Sequence, residues 1–232
     1  MRLKDKIAIV TGAGTGIGEA ISYKFAREGA KLVLAGFPSD PVQDVAAAIV
    51  TDGGAATIYL GDLSEADHAR TCVELAIQTY GRLDILVSNA GIFIANAQTD
   101  AYRIEDFERT LKSNVWTAFL MTKFALPYLR RTRGNIVFTG SEAGLNGSPD
   151  FTPYGGSKGF LHAFMKGVAL EQAPLWRARQ LHLSGTDRYG LDARQRQPDP
   201  ACRTGNDRRH GAARPARHTR GDGEHLRVFG FR

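Results

Sequence analysis

The stretch Lys6-Ile7-Ala8-Ile9-Val10-Thr11-Gly12-Ala13-Gly14-Thr15-Gly16-Ile17-Gly18 decides the fold. Its first half is a short apolar run that ends at once in glycines, the pattern of a strand buried on both faces of a parallel sheet. The stretch that follows, from Gly18 to Gly29, has helical periodicity and a glycine stop. Working outward, strand patterns recur at 31–35, 56–60, 83–87 and 135–139. Helical patterns fall between and after them, at 41–52, 65–80, 104–131 and 153–172. This alternation predicts an α/β chain with a doubly wound parallel sheet and right-handed crossovers, built as a single domain over 1–174.

A length of 232 residues suffices for one well-buried domain, and the 43% hydrophobic and 23% charged fractions are those of a globular protein. No run of about 18 apolar residues occurs, so no membrane span is expected. The first six residues lead straight into a strand without the apolar core of a signal peptide, and the expected location is the cytoplasm. Cys72 and Cys202 are far apart and in no metal-ligand spacing, which points to ordinary thiols and no bound metal. Charge is unevenly placed. Residues 175–232 hold 13 Arg against 5 Asp and 1 Glu, while 1–174 hold 17 basic and 18 acidic residues. A basic tail of this kind is one signature of nucleic-acid binding.

Gly12, Gly16 and Gly18 fall in the turn between the first strand and the first helix. Missing side chains let backbone N–H groups and a helix N-terminus approach a pyrophosphate. The pattern is TGxxxGxG rather than GxGxxG, because Ile17 stands where the third glycine of the latter would be. Asp62, in Gly61-Asp62-Leu63-Ser64, ends the third strand and either accepts a hydrogen bond from an adenine amino group or caps the next helix. Ser88-Asn89-Ala90-Gly91 follows the fourth strand, where small residues admit a ribose and Asn89 can pin neighbouring strands. Asn114 is a poor helix former inside a helical stretch, the mark of a surface position, a kink or a function. Tyr154 and Lys158 are four residues apart on one helix face, thirteen and seventeen positions after Ser141. A phenol with a pKa of about 10 is a poor acid/base at neutral pH. A neighbouring ammonium favours the phenolate, and Ser141 could then hold a substrate oxygen while Tyr154 exchanges its proton.

These residues, in this order, resemble the short-chain dehydrogenase/reductase family over about residues 3–174. The resemblance implies a Rossmann-like fold that binds NAD or NADP and moves a hydride between it and a small carbonyl or secondary alcohol. Its glycine motif falls on Thr11, Gly12, Gly16 and Gly18, its adenine-contacting Asp on Asp62, and its NNAG motif on Ser88-Asn89-Ala90-Gly91. The implied cofactor contacts are Gly12, Thr15, Gly16, Ile17, Gly18, Asp62, Leu63, Asn89, Ala90, Gly91, Tyr154 and Lys158. The implied catalytic set is Asn114, Ser141, Tyr154 and Lys158. In it Tyr154 is the acid/base, Ser141 orients the carbonyl, Lys158 lowers the phenol's pKa and binds the nicotinamide ribose, and Asn114 supports a water-linked proton relay. The family's usual state, a homodimer or homotetramer packed through its two long helices, is expected if the tail is in frame in the true gene. Gly36, Phe37 and Thr15 leave the choice between NAD and NADP open, with Asp40 within possible reach of a ribose.

After Pro174 the resemblance stops. Residues 175–232 form a tail foreign to the family, rich in Arg, Gly, Pro and His, and expected to pack poorly. Codons for residues 175–190 can be chosen so that dropping one base gives YGVRVNCICPGPTDT, which resembles the family's next strand and Pro-Gly turn. Residues 210–232, shifted the same way, can read MGRPARPDTPEEMANICAFLAS, which resembles its C-terminal region. The tail therefore reads as a shifted frame, its charge an accident rather than a nucleic-acid signal. Without the family's last strands, the strand at 135–139 is expected to be an exposed edge, and the chain to fold poorly with little activity. The alternative function is a defective or non-catalytic nucleotide-binding product.

Overall fold

The computed structural model describes residues 1–173 and the backbone of 228–230. Five parallel strands alternate with helices: β1 (Ile7–Thr11), β2 (Lys31–Gly36), β3 (Ala55–Leu60), β4 (Ile85–Ser88) and β5 (Asn135–Thr139). Between and after them lie α1 (Gly16–Arg27), α2 (Val42–Thr51), α3 (Ala66–Tyr80), α4 (Ile104–Leu111), α5 (Thr117–Thr132), α6 (Ala143–Asn146) and α7 (Thr152–Gln172). The sheet order is β3-β2-β1-β4-β5, extended past β5 by β6 (Val228–Gly230). This is the expected doubly wound, Rossmann-like sheet, with its strand order reversing between β1 and β4.

Alternate residues of β1 explain the two layers. Ala8 and Val10 pack with Leu32, Leu34 and the apolar side of α2, namely Val42, Val45, Ala46 and Ile49. Ile9, on the opposite pleat, packs with Val33 and with buried residues of α3, α5 and α7, among them Cys72, Met121, Leu129 and Met165. All five residues of β1 are buried, so neither pleat is solvated. At the strand N-termini, Asp84 is 2% exposed and accepts from the Ile7 N–H at 3.1 Å and from Arg82 at 2.6 and 2.9 Å.

Two differences from the sequence reading stand out. The helix expected over 104–131 is interrupted by a π-helical segment, Lys112–Trp116, which separates α4 from α5. Within it Asn114 turns its side chain inward onto the loop after β4. The second concerns the edge at β5, expected to be bare. It pairs antiparallel with β6, Val137 opposite Gly230 and Thr139 opposite Val228. An unpaired edge offers a row of N–H and C=O groups to any extended segment, and here a short one takes it. The remaining tail residues, with the expectation of poor order there, lie outside the described residues.

Candidate active site

Residues at or just past the C-terminal ends of β1 to β5 line one cleft of about 880 Å³. It opens where the strand order reverses, the place at which doubly wound sheets hold ligands. Of the sequence-predicted residues, Gly12, Thr15, Gly16, Ile17, Asp62, Leu63, Asn89, Ala90, Gly91, Tyr154 and Lys158 line it. Gly18, Asn114 and Ser141 do not, and each has a different place.

The glycine turn divides its work. Gly12 and Gly16 adopt left-handed φ of 62° and 55°, and the space beside Gly16 is open. Gly18 has no such φ and serves close packing instead, because a Cβ there would run into the Gly12 carbonyl and the Asn89 amide. Helix α1 begins at Gly16, which lines the cleft with Ile17, and the Thr15 side chain makes no cap bond to the first N–H groups. Asn89 ties the turn to the rest of the sheet. Its Nδ2 donates to the Thr11 carbonyl at 3.1 Å, and its Oδ1 accepts from Thr139 Oγ1 at 3.0 Å. The expected pinning role is therefore present, across β1, β4 and β5.

At the other end of the cleft, Lys158 is 4% exposed and donates from Nζ to the Thr139 carbonyl at 2.9 Å. Its ammonium lies 5.6 Å from the centre of the Tyr154 ring. Burial pushes the Lys158 pKa down to about 8. Asn114 is fully buried. Its Oδ1 accepts from the Ile92 N–H at 2.7 Å, and its Nδ2 donates to the Ile92 carbonyl and to Ser157 Oγ, both at 3.0 Å. Ser157 Oγ in turn donates to the Tyr154 carbonyl at 2.7 Å. Asn114 is thus neither a surface residue nor idle: it holds the loop after β4 against the helix that carries Tyr154. Ser141 follows the cleft-lining Thr139 and Gly140, and its Oγ accepts from the Ala143 N–H at 3.3 Å.

Asp62 does not cap α3, whose N-cap is Glu65. Its Oδ1 accepts instead from the backbone and hydroxyl of Ser64, closing a local turn, while Oδ2 lies 3.7 Å from Lys112 Nζ. Desolvation raises the Asp62 pKa, but the Ser64 hydrogen bonds and the Lys112 charge outweigh it, so the carboxyl sits below its ordinary value. Asp40, folded back toward the end of β2, accepts from the Phe37 N–H at 2.8 Å and lines the cleft.

Sequence reasoning passed over Ser157, Thr139 and Lys112. Ser157 carried a signal, since it lies one turn after Tyr154 and next to Lys158. Thr139, last in a strand, and Lys112, two residues before Asn114, carried none that separates them from ordinary polar positions. Among the described residues, no group of three His, Cys, Asp or Glu could hold a metal ion, and no helix is long and apolar enough to cross a membrane.

The short chain dehydrogenase family model matches residues 6–176. A relative from Sesamum indicum, 11-beta-hydroxysteroid dehydrogenase A, is 35% identical over 73% of this chain and 49% of its own length. An uncharacterized oxidoreductase of Staphylococcus aureus (strain MRSA252) is 34% identical over 74% of this chain and 73% of its own. The chain thus spans about half the length of some of the curated relatives it matches. Among solved structures, an NAD+-bound xylitol dehydrogenase superposes with a TM-score of 0.73 at 32% identity, covering 75% of this chain and 68% of the other. A short chain dehydrogenase from Burkholderia cenocepacia in complex with NADP gives 0.70 at 32% identity, covering 75% and 71%. By fold, by order of motifs and by sequence, this chain belongs to the short chain dehydrogenase family.

Proposed function

We propose that the chain is an NAD(P)-dependent oxidoreductase that moves a hydride between a nicotinamide cofactor and a carbonyl or secondary alcohol. One observation carries the reading: a buried ammonium beside a phenol, at one end of a cleft whose other end is an open glycine turn. The residues present fit such a cofactor, for the turn beside Gly16 is empty and α1 points its N-terminus there. The NAD+ and NADP held by the two solved relatives support the same class. Gly12, Thr15, Gly16 and Ile17 would hold the pyrophosphate, with Gly18 packing the turn. Asp62 and Leu63 would meet the adenine, Asn89, Ala90 and Gly91 the sugar side, and Tyr154 and Lys158 the nicotinamide end.

When bound, the nicotinamide gives or takes the hydride. The protein's part is the proton. Tyr154 Oη passes it to or from the substrate oxygen, and Lys158, while charged, favours the phenolate form. Ser141 Oγ turns from its Ala143 bond to hold the same oxygen. Asn114 holds the Ile92 loop beside this group and supports a water-linked relay. The test is turnover of secondary alcohols by the purified chain with NAD and with NADP, read by nicotinamide absorbance. Binding of either nucleotide without turnover of any alcohol or ketone rejects the catalytic reading and leaves a nucleotide-binding product.

That second reading has an observation of its own, the family match that ends at residue 176. It fits the division into a cofactor-binding domain over 1–174 and a tail over 175–232 made by a shifted reading frame. Exposed Ile104, Phe107, Trp116, Phe119, Phe160 and Leu170 on α4, the π segment, α5 and α7 support self-association through these helices as a homodimer or homotetramer where the tail is in frame in the true gene. Sedimentation of the protein with its tail in frame tests it. The buried Cys72 thiol, whose pKa burial pushes up, suits a reducing cytoplasm.

A further inference from the structure

Beside Tyr154 in the cleft stands Phe93. This large apolar residue is 46% exposed and lines the cleft. Its ring stacks on Phe151 with centres 5.0 Å apart and planes at 16°, and it meets Tyr154 edge-on at 5.4 Å and 83°. Two elements bring the rings together. Phe93 lies in the loop after β4 that Asn114 holds, and Phe151 is the N-cap residue of α7, three before Tyr154. A ring braced by two others has already lost its rotational freedom, so a ligand that packs on it adds little ordering cost.

Charge narrows the ligand further. Among the described residues, the cations that line the cleft are Lys158, Arg109 and Lys112. Lys158 is bonded to the Thr139 carbonyl, Arg109 reaches Asp106 at 3.5 Å, and Lys112 reaches Glu65 at 2.6 Å. Arg109 and Lys112 are already charge-compensated, which weakens their attraction for a carboxylate or phosphate on the substrate, and polar hydroxyls laid on the Phe93 ring would lose their hydration.

Resting on the oxidoreductase reading above, we propose that the substrate is an uncharged aryl carbinol or aryl ketone whose ring packs on Phe93. In the oxidative direction the carbinol C–H leaves as hydride to the oxidised nicotinamide, and the hydroxyl proton goes to the Tyr154 phenolate. Aryl ketone and reduced nicotinamide remain, and reduction is the reverse.

The test uses the full chain. Binding of NAD and of NADP is measured first by calorimetry. Acetophenone, cyclohexyl methyl ketone and pyruvate are then compared, with the preferred nucleotide present, by calorimetry and by oxidation of the reduced nucleotide. The two neutral ketones have the same carbon skeleton size, so the comparison isolates the ring. Acetophenone should bind roughly three- to tenfold tighter than its saturated counterpart, the range an aromatic pair supplies beyond area. Phe93→Leu should erase that preference, and Phe93→Tyr should keep it. Equal binding of the two neutral ketones, a preference that survives Phe93→Leu, or a preference for pyruvate overturns the aryl assignment and leaves the oxidoreductase reading standing. Aryl preference without binding of either nucleotide does the opposite. Absence of all binding overturns both.

Discussion

In the proposed reaction Tyr154 and Lys158 act through one property each, and each is separable by substitution. Tyr154→Phe removes the exchangeable proton but not the ring that Phe93 packs against. Turnover should fall by roughly 10²- to 10⁴-fold while nucleotide affinity stays within about threefold, read by initial rates and calorimetry. Lys158 has a folded pKa of about 8 against an ordinary 10.5. Between those values the unfolded chain holds the proton that the folded chain has lost, so this group makes stability rise with pH there. Below about 8 both states are charged, and the full burial penalty applies. Lys158→Met should abolish that rise, seen as a flat melting temperature across the window where the parent's climbs. Activity runs the other way. Support for the phenolate is lost as pH passes about 8 upward. The chain order made Tyr154, Lys158, Ser141 and Asn114 legible as candidates, because they are chemically distinctive and correctly spaced. What spacing could not give was the partner of each: Thr139 and Ile92 offer backbone carbonyls, which no side-chain pattern announces.

The glycine turn shows at element scale why three similar residues are not equivalent. Gly16→Ala would meet no neighbour and would incur only left-handed strain, about 1 kcal/mol. Gly18→Ala would push α1 off the turn against the Gly12 carbonyl and should cost roughly 1–3 kcal/mol, with a matching loss of nucleotide binding. Urea unfolding of both variants checks the order. Asn114→Ala would orphan the Ile92 N–H and C=O together, and about 2–3 kcal/mol of destabilisation is expected by the same measurement. The strands were legible to within two residues, since buried parallel strands show as unbroken apolar runs between glycines. The break at Lys112–Trp116 was legible only as a kink, one of the readings left open at Asn114. A π turn has no composition of its own, and the inward pull on Asn114 comes from a loop twenty-two residues away.

For the whole molecule, the sheet order gathers the cleft at and beyond the strand C-termini and leaves the two apolar layers behind it. The βα alternation foretold that arrangement. It did not foretell β6, because pairing at a sheet edge follows from vacancy rather than from pattern. The frame proposal belongs at this scale. Resequencing the gene across the Pro174 codon should reveal one surplus base, and the restored protein should melt higher and turn over faster than the present chain. A confirmed frame would reject the proposal. The π turn also has a consequence for insertions and deletions. It is a helix carrying one residue more than its geometry allows, and each residue of an α-helix advances the winding by about 100°. Excising Ser113 would let the surplus relax and leave both flanks facing as they do, whereas a further residue inserted after Asn114 would turn α5 by that angle relative to Asn114. Asn114 could keep its grip on Ile92 only by swinging Met121, Ala125 and Leu129 out of the sheet's shelter. The same insertion near Gln98, in the exposed connection before α4, would merely lengthen a strap. The molecule thus counts residues strictly at one point of its surface and loosely at another a dozen or so positions earlier.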